Sequence, residues 1–586
     1  MTHVFMNRCR SRAVFVLGAA LTFSTVATTH ARAQATDAAL QRMWRLGMDS
    51  SQVQHFAQQL FDSLGPRLMG SQNIKRAQEW LVANYKSWGV DAKLDQYGTW
   101  RGWRRGPSHV DLIAPRVRTL DATMVGWSPG TGGKDVVADP IILPKFRDST
   151  EFVRWLPQAR GKLVLVNAPQ FTCRPYEDWQ QNATPASLAR ADSLYAAVMA
   201  DWAQTGTGDS ASYRGTGYTL ALGGGSLSMR LDKAGVAGIL TSRPKDAWST
   251  REIFETYSTV TPTLSLSCED YGLVFRLTEN KQGPRLRMNL DAELLGEQPV
   301  YDVIATIPGT TKPNEYVMLS AHFDSWDGSS GATDNGTGTL TMFEAMRILK
   351  QVLPHPQRTI LVGHWSGEEE GLVGSRAYAH DHPEIIKGMQ ALFNQDNGTG
   401  RVTRLSASGW PDAANHLLTW YDKLPKYFQD QAPFFGGGGN NTIGQPGGGS
   451  DNASFACYGA PTIGLGALGW DYSNYTWHTE RDTYDKVVFD DLKANATLTA
   501  MLAYLASEDP QFIRRDTTIK ATTRPAPDNA ANAFGGRGGG GRGVGGGGRG
   551  RGGAGARGGG RADQPATPRT IADCPNAPRS TNPRLR

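Results

Sequence analysis

The sequence predicts an α/β protein: a three-layer α/β/α domain with a mixed central sheet, interrupted by a β-rich insert and followed by a disordered tail. From about residue 300, apolar strand-like runs alternate with helical patterns, which favours a layered α/β domain. Residues 126–291 are instead rich in glycine, proline and short β-like runs, with few groups suited to chemistry. Residues 524–586 are rich in proline, glycine and arginine and cannot bury a core.

Individual helices and strands are predicted from hydrophobic periodicity. Residues 40–60 and 74–88 have the spacing of amphipathic helices, with Ile74, Ala77 and Leu81 on one stripe. The other predicted elements, in chain order, are a strand at 162–167, a helix at 231–237, strands at 238–241 and 316–320, a helix at 339–352, and strands at 359–363, 390–394 and 461–465.

Residues 1–33 have the pattern of a secretory signal peptide. Three arginines precede an apolar run at 13–27, and Ala-Arg-Ala ends at Ala33 as a small-residue cleavage site. That run is shorter than the roughly 20 residues that a membrane span needs, so we predict no transmembrane segment. We therefore expect export to the periplasm or the extracellular space.

Net charge argues against a nucleic-acid partner for the folded body. The tail from Arg524 holds eleven arginines and three aspartates, and the signal segment holds four arginines. The tail therefore contributes +8 and the signal segment +4 to the formal net charge of +6, which leaves residues 34–523 with a net charge of −6. This negative charge does not favour a nucleic-acid or anionic-membrane surface on that part of the chain. Gly/Arg repeats are typical of RNA binding in cytoplasmic proteins. Behind a signal peptide we expect at most a weak contact of the tail with anionic cell-surface polymers.

Four cysteines follow the signal segment, and none is an expected metal ligand, because the chain has no Cys-x-x-Cys pattern. They are Cys173, Cys268, Cys457 and Cys574. In an oxidising compartment Cys173 and Cys268 could pair, but the sequence does not decide this.

Five polar clusters come directly after predicted strands. The first, Ser-Ala-His-Phe-Asp-Ser, contains His322 and Asp324, which face the same side at a strand end. A carboxylate beside a ligating imidazole fixes its tautomer. The second, Gly-Ala-Thr-Asp-Asn-Gly-Thr-Gly, holds Asp334 just before a helix, where a simple N-cap is the alternative role.

The remaining clusters add two more acids and a second histidine to the candidate ligands. Ser-Gly-Glu-Glu-Glu-Gly holds Glu368 and Glu369, and adjacent like charges are costly unless a cation or a proton separates them. Phe-Asn-Gln-Asp-Asn-Gly supplies Asp396, and Tyr-Thr-Trp-His-Thr-Glu-Arg-Asp-Thr supplies His478. Two imidazoles and three carboxylates suit two borderline metal ions that share a carboxylate.

These clusters resemble, in order and spacing, the zinc peptidase family of bacterial leucine aminopeptidases, carboxypeptidase Q and glutamate carboxypeptidases. The resemblance covers roughly residues 40–125 and 292–510, with family-like pieces also at 65–71 and 449–455. Residues 231–240 look like part of a protease-associated domain. The resemblance implies a discontinuous peptidase domain at 34–125 and 292–515 and a protease-associated insert at 126–291. Together with the composition, the predicted organisation is completed by the signal peptide at 1–33 and the disordered tail at 524–586.

The resemblance also implies roles for individual residues. Glu368 would be the general base, and Asp324 would orient His322. Two Zn²⁺ ions would be bound, with Asp334 as the bridge. The implied ligand set is His322, Asp334, Glu369, Asp396 and His478.

Two positions depart from the family pattern. Some relatives place tyrosine before the last ligand histidine to stabilise the oxyanion, and here that position is Trp477. Tyr472 or Tyr475 could substitute for it. The family often has histidine after the Ser-Asp pair, whereas Asn452 follows Asp451 here.

The predicted function is an exported, zinc-dependent exopeptidase that acts on peptide substrates. An arginine cluster would read a free carboxylate, and Arg376, Arg401 and Arg404 are scattered, which favours an aminopeptidase. A carboxypeptidase or dipeptidase of the carboxypeptidase Q type is the alternative. A non-catalytic surface-binding protein is disfavoured, because all ligand positions and the predicted base are intact.

Overall fold

The computed structural model describes residues 37–146, 148–202, 221–222, 225–432, 434–437, 449–521 and 574. The predicted signal peptide lies outside the described residues, as does the predicted tail apart from Cys574. Within the described part of the chain, no helix has the length and apolar character needed to cross a bilayer.

The α-helices, in chain order, are α1 (Ala38–Trp44), α2 (Val53–Ala57), α3 (Gln72–Ser87), α4 (Ser149–Ala159), α5 (Tyr176–Asn182), α6 (Pro185–Trp202), α7 (Leu227–Ala234), α8 (Cys268–Glu279), α9 (Thr337–Val352), α10 (Val373–Asp381), α11 (Pro383–Gly388), α12 (Pro411–Tyr421), α13 (Lys426–Gln431), α14 (Asn452–Cys457), α15 (Tyr472–Tyr475) and α16 (Phe489–Ser507).

The strands are β1 (Asp91–Ala114), β2 (Arg118–Thr119), β3 (Ala122–Met124), β4 (Val136–Ala138), β5 (Pro140–Ile142), β6 (Leu163–Leu165), β7 (Ala221–Leu222), β8 (Gly225–Ser226), β9 (Gly238–Thr241), β10 (Thr263–Leu266), β11 (Arg285–Ile307), β12 (Lys312–His322), β13 (Arg358–Trp365), β14 (Met389–Asn394), β15 (Val402–Ser408), β16 (Phe434–Gly437) and β17 (Thr462–Ala467).

A large mixed sheet forms the centre of the molecule. Its strand order is β16-β15-β17-β14-β12-β13-β11-β1-β2, and β4 pairs with β11 beside this path. The pairs β12–β13, β12–β14, β14–β17 and β15–β16 are parallel, whereas β15–β17, β11–β13, β1–β11 and β1–β2 are antiparallel. The predicted mixed central sheet is confirmed.

Both faces of this sheet are covered by helices, which produces the three layers. Side chains of a strand point alternately to opposite faces, so Val317 and Leu319 join the apolar cluster under α3, α9 and α16. Met318 lies between them in sequence and joins the opposite cluster, under α10, α11 and α14. A strand buried on both faces reads as a continuous apolar run, which is the pattern that predicted β12.

A second, smaller sheet with the order β3-β10-β9-β6-β5 has its own apolar clusters on both faces. We call it the small sheet. β6 and β9 lie where the sequence predicts strands, but α7 begins at Leu227 and ends at Ala234 instead of spanning 231–237. The helix ends there because Gly235 has a φ of +74°, a left-handed conformation that terminates helices and favours glycine.

The long strands β1 and β11 connect the two sheets. They pair antiparallel from Asp91–Thr306 to Ala114–Arg285. Leu112 on β1 and Leu286 on β11 belong to an apolar cluster of the small sheet. The sequence boundary at residue 291 therefore falls inside a continuous strand.

The predicted helical region at 40–60 is divided in the structure. α1 runs into a π-helical turn at 45–49, and α2 begins again at Val53. The interruption coincides with a buried side chain: Glu344 of α9 accepts hydrogen bonds from Ser51 Oγ at 3.1 Å and from the amide of Gln52 at 3.0 Å. The carboxylate of Glu344, which is distant in sequence, thus accepts hydrogen bonds from donors at the start of α2. Hydrophobic periodicity alone does not reveal such a contact.

Two disulfides close long segments of the chain. Cys173 pairs with Cys268, the pairing that the sequence left open, and Cys457 pairs with Cys574. The second bridge ties a residue of the predicted tail to α14. Disulfides of this kind are typical of oxidising compartments outside the cytosol.

Phe343 provides a test of the core between α9 and the helices around it. Its fully buried ring lies 4.6–5.0 Å, between centroids, from the rings of Trp88, Phe56 and Tyr85. We expect Phe343→Ala to lower the free energy of unfolding by about 3–5 kcal/mol through the cavity it leaves. Denaturant unfolding measures this. Val153→Ala, at a half-exposed site, should change it by less than about 0.5 kcal/mol, and equal losses would contradict the packing account.

Candidate metal centre

The candidate site lies at the carboxyl ends of three neighbouring parallel strands. β12 ends at His322, β13 ends three residues before Glu368, and β14 ends two residues before Asp396. Because parallel strands end at the same edge of a sheet, the three loops meet there. The structure therefore brings together the polar clusters that the sequence scatters over about 75 residues.

The five predicted ligands form two groups that share one carboxylate. In the first group, His322 Nε2 lies 3.3 Å from Asp396 Oδ1 and 3.5 Å from Asp334 Oδ1. In the second, His478 Nε2 lies 2.9 Å from Glu369 Oε2 and 3.4 Å from Asp334 Oδ2. Asp334 thus presents one oxygen to each group, and each group could hold a metal ion.

The turn before α9 leaves the Asp334 carboxylate free for this task. Asn335, not Asp334, serves the start of the helix: its Oδ1 accepts from the amide of Gly338 at 3.0 Å. Its Nδ2 donates to the carbonyl of Gln395 at 2.9 Å, next to Asp396. A side chain at 338 would bring its Cβ to 2.5 Å from that same carbonyl, so the closing glycine of the motif is required by close approach.

Asp324 organises the loop that carries the adjacent glutamates. Its two carboxylate oxygens accept from the amides of Glu368 and Glu369, each at 3.2 Å. His322 Nδ1 lies 3.1 Å from the main-chain carbonyl of Asp324 and 3.6 Å from its carboxylate. The carbonyl is therefore the closer partner of the imidazole, while the carboxylate holds the glutamate loop.

Two residues to which sequence reasoning assigned no role stabilise the loops around the site. Asp482 accepts from the amides of Thr333 and Asp334 at 2.8 and 2.9 Å. The fully buried Arg67 donates to the carbonyls of Phe323, Ser330 and Gly331 at 2.6–2.8 Å and so holds the loop after β12. Both lie inside the family-like motifs, which is the only signal in the sequence that could have found them.

His478 reaches the site from a loop rather than from a strand. Its φ of +58° is in the left-handed region, which is uncommon for a residue other than glycine. Trp477 stacks on its ring at 3.9 Å between centroids, and Phe254 meets the ring edge-on at 5.2 Å. Aromatic side chains therefore hold the imidazole from two directions.

Of the two tyrosines proposed to replace the missing family tyrosine, the structure brings Tyr472 to the site. Tyr472 lies close enough to Asp334 to contribute to lowering the pKa of that carboxyl, whereas Tyr475 is 45% exposed. Burial and the charge of Asp334 raise the pKa of Tyr472 well above its usual value, so its hydroxyl stays protonated and able to donate.

The buried carboxylates of the site would be stabilised by a positive charge. Burial, reinforced by neighbouring carboxylates, raises the pKa values of Glu368 and Glu369 well above the ordinary range. Burial also raises the pKa of Asp451, which lies beside the site, to about 7. Glu369 Oε1 and Asp334 Oδ2 are buried without hydrogen-bond partners among the described residues. Unpartnered carboxylate oxygens beside imidazole nitrogens are the donor set of zinc, so these residues fit the metal.

The arginines considered from the sequence are not clustered here. Arg376 is half-buried. Burial lowers its pKa, and the negative charges of Asp451 and Glu368 partly offset that effect, which places Arg376 near the site. Arg401 lies 3.9 Å from Asp491.

Comparison with known proteins agrees with this geometry. Residues 302–503 match the model of Peptidase family M28. Carboxypeptidase Q of Rattus norvegicus is 25% identical over 351 residues, which cover 60% of this chain and 65% of that protein. Leucine aminopeptidase 1 of Coccidioides posadasii (strain C735) is 31% identical over 229 residues, 35% of this chain and 55% of that protein. The predicted resemblance to the di-zinc exopeptidase family is confirmed.

A solved structure shows the same fold. The crystal structure of a peptidase M28 precursor from Shewanella amazonensis SB2B aligns with a TM-score of 0.56 and 22% sequence identity. The alignment covers 83% of this chain and 98% of that chain. The family model does not extend into residues 126–291.

Asp482 offers a test of how the site is held. Asp482→Ala removes the acceptor of two buried amides, and leaving buried donors unsatisfied costs about 1–3 kcal/mol. Because one of these amides belongs to Asp334, we also expect zinc affinity to fall by about 10- to 100-fold, as for other residues that orient ligands. Calorimetric zinc titration measures the second effect. Unchanged affinity in a folded variant would show that Asp482 does not position Asp334.

Proposed function

We propose that this chain is a zinc-dependent exopeptidase that hydrolyses peptide bonds near a free terminus and acts as an aminopeptidase. The observation that supports this most strongly is the pair of ligand groups that share Asp334. Glu368 lies close enough to His322 for its charge to raise the pKa of that imidazole. A purely structural zinc site is closed by four protein ligands. Here each group has three ligands, which leaves room for water or substrate.

In this proposal His322 and Asp396 hold one zinc ion, Glu369 and His478 hold the other, and Asp334 bridges them. Two zinc ions so placed would lower the pKa of a water toward neutrality and stabilise the charge that develops on the substrate carbonyl. Glu368 takes a proton from the attacking water and delivers it to the leaving amine. The pKa of Glu368 is raised mainly by burial, which suits a group that both accepts and donates near neutral pH.

Tyr472 is the proposed donor to the oxyanion. It is protonated, lies at Asp334, and takes the place of the tyrosine that Trp477 replaces. Hydroxyl donors aimed at developing charge are the usual device for this purpose.

The excess of acids at the site supports the choice of an amine terminus. A free amine is recognised by a carboxylate and a free carboxylate by arginine. Asp451 adds two buried carboxylate oxygens without hydrogen-bond partners among the described residues. Of the arginines near the site, Arg376 faces the charges of Asp451 and Glu368, and Arg67 donates to the main-chain carbonyls of Phe323, Ser330 and Gly331. A dipeptidase or carboxypeptidase activity is the second candidate, because the similarity to carboxypeptidase Q extends over 60% of the chain.

We further propose export to the periplasm or the extracellular space, supported by the predicted signal peptide and the two disulfides. Residues 126–291 are proposed to be a protease-associated insert, supported by the separate apolar clusters of the small sheet.

Glu368→Gln tests the proposed base. The amide cannot accept the proton of water, so we expect kcat to fall by about 10²–10⁴-fold while zinc content stays at two equivalents. Peptide hydrolysis and metal analysis of the same sample measure both. Full activity in this variant would contradict the mechanism.

Glu370→Gln is the matched control for that experiment. It makes the same chemical change in the next-but-one residue of the same loop, at a carboxylate that has no hydrogen-bond partner among the described residues. We expect it to keep most of the activity, so that loss in Glu368→Gln alone reports on the base.

Metal removal tests the cofactor. We expect a strong chelator to abolish hydrolysis and two equivalents of zinc to restore it. Zinc at about 100 times its dissociation constant should also stabilise the fold by about 2.7 kcal/mol per site. Activity that survives complete removal of zinc would refute the proposed cofactor.

A peptide panel tests which terminus is recognised. Three peptides are compared: one with both termini free, one with a blocked amine and one with a blocked carboxylate. A peptide should be cleaved only if it keeps the charged terminus that the site binds. We expect the amine-blocked peptide to be resistant and the carboxyl-blocked peptide to be cleaved. The reverse pattern would establish the carboxypeptidase alternative.

A further inference from the structure

The loop that carries His478 is held by a segment next to the small sheet. We call residues 476–480 the His478 loop and residues 251–254 the clamp segment. The amide of Ile253 donates to the carbonyl of His478 at 2.7 Å, and Glu252 and Thr479 form an antiparallel bridge. The main chain of the clamp segment therefore pairs with the loop at the ligand itself.

Arg251 joins this pairing to the small sheet. Its side chain is fully buried. Its two Nη atoms donate to the carboxylate of Asp121 at 3.0 and 3.2 Å, and one of them also donates to Thr123 Oγ1 on β3 at 2.9 Å. Its Nε donates to the carbonyl of Ser265 on β10 at 3.2 Å. The guanidinium group of Arg251 is thus held by residues in and beside the small sheet.

The other end of this contact is Glu480, two residues after His478. The main-chain amide of Arg251 donates to Glu480 Oε2 at 3.0 Å, and Arg251 Nη1 donates to Glu480 Oε1 at 3.3 Å. Glu480 is itself nearly buried, with 7% of its side chain exposed. A charge-assisted contact of this kind, shielded from water, is stronger than a surface ion pair.

These contacts matter because the backbone conformation of His478 is unfavourable by itself. The left-handed conformation of His478 costs about 1–2 kcal/mol for a residue with a side chain. Such conformations persist only where the surroundings over-determine them. His322, in contrast, ends a central strand, and Thr339 Oγ1 of α9 donates to its carbonyl at 2.8 Å.

We propose that Arg251 and Glu480 are positioning residues that clamp His478, so that the small sheet controls one metal position and leaves the other unaffected. The controlled position is that of Glu369 and His478, and the independent one is that of His322 and Asp396. This inference rests on the proposed function, because it assumes that both groups bind zinc.

The test is zinc titration of the full chain by calorimetry, with Glu480→Gln as the main variant. Glutamine has nearly the same shape as glutamate but only one acceptor oxygen, so the substitution weakens the contact with Arg251 and creates no cavity. The variant is made in two backgrounds that each keep one position. His322→Ala retains the His478 position, and His478→Ala retains the His322 position.

We expect Glu480→Gln to weaken zinc binding about 10-fold or more in the His322→Ala background, as for other residues that orient ligands. In the His478→Ala background we expect a change of less than about twofold. Equal weakening in both backgrounds, or none in the first, overturns the clamp. If the unaltered chain binds no zinc, the proposed function fails as well; two equivalents with no selective effect contradict the clamp alone.

Two further variants separate positioning from folding. Arg251→Lys keeps the charge but not the planar fork, so it should weaken the same position selectively. Arg104→Met is the control, since Arg104 is half-exposed and its ion-pair partners, Asp291 and Glu293, belong to β11 and not to the His478 loop. We expect that control to titrate like the unaltered chain.

Discussion

The site depends on the burial of several carboxylates at one edge of the central sheet. Asp324 and Asp482 are satisfied by main-chain amides, at 3.2 Å and at 2.8–3.1 Å respectively. Asp334 and Glu369 retain buried oxygens without hydrogen-bond partners in the described part of the chain. Isolated buried charges of this kind are too costly to persist unless they are neutralised or bind a cation. Among these four acids, the two that main-chain amides satisfy therefore support the site, and the two with unsatisfied oxygens are proposed ligands.

The sheet topology explains why these acids meet. Parallel pairing of β12 with both β13 and β14 places three loop starts side by side. The turn before α9 and the start of α9 then contact two of these strand ends: Asn335 and Thr337 donate to Gln395 and Gly398 after β14, and Thr339 donates to His322 at the end of β12. A change at either of these two strand ends would displace the turn that carries Asp334, and with it the carboxylate shared by both groups.

Much of this arrangement could be predicted from the sequence because its causes are local. Apolar runs predicted β12, β13 and β14, and the polar residues that follow each run marked the candidate ligands. Arg67 and Arg251 were not assigned roles because their partners are remote: Arg67 binds a carbonyl 264 residues away, and Arg251 binds Glu480, 229 residues away. The Cys457–Cys574 bridge, with a separation of 117 residues, escaped prediction for the same reason.

The two ligand groups differ in how they are built, and this difference follows from topology. One group rests on the ends of β12 and β14, whose geometry is set by the core of the sheet. The other requires a loop in a left-handed conformation, and the contacts that hold this loop come from residues 251–254, beside a different sheet. Asp334 belongs to both groups, and its main-chain amide is held by Asp482 and not by the clamp segment. Cooperation between the two positions is therefore expected from the shared carboxylate, while their unequal support gives the small sheet influence over only one of them.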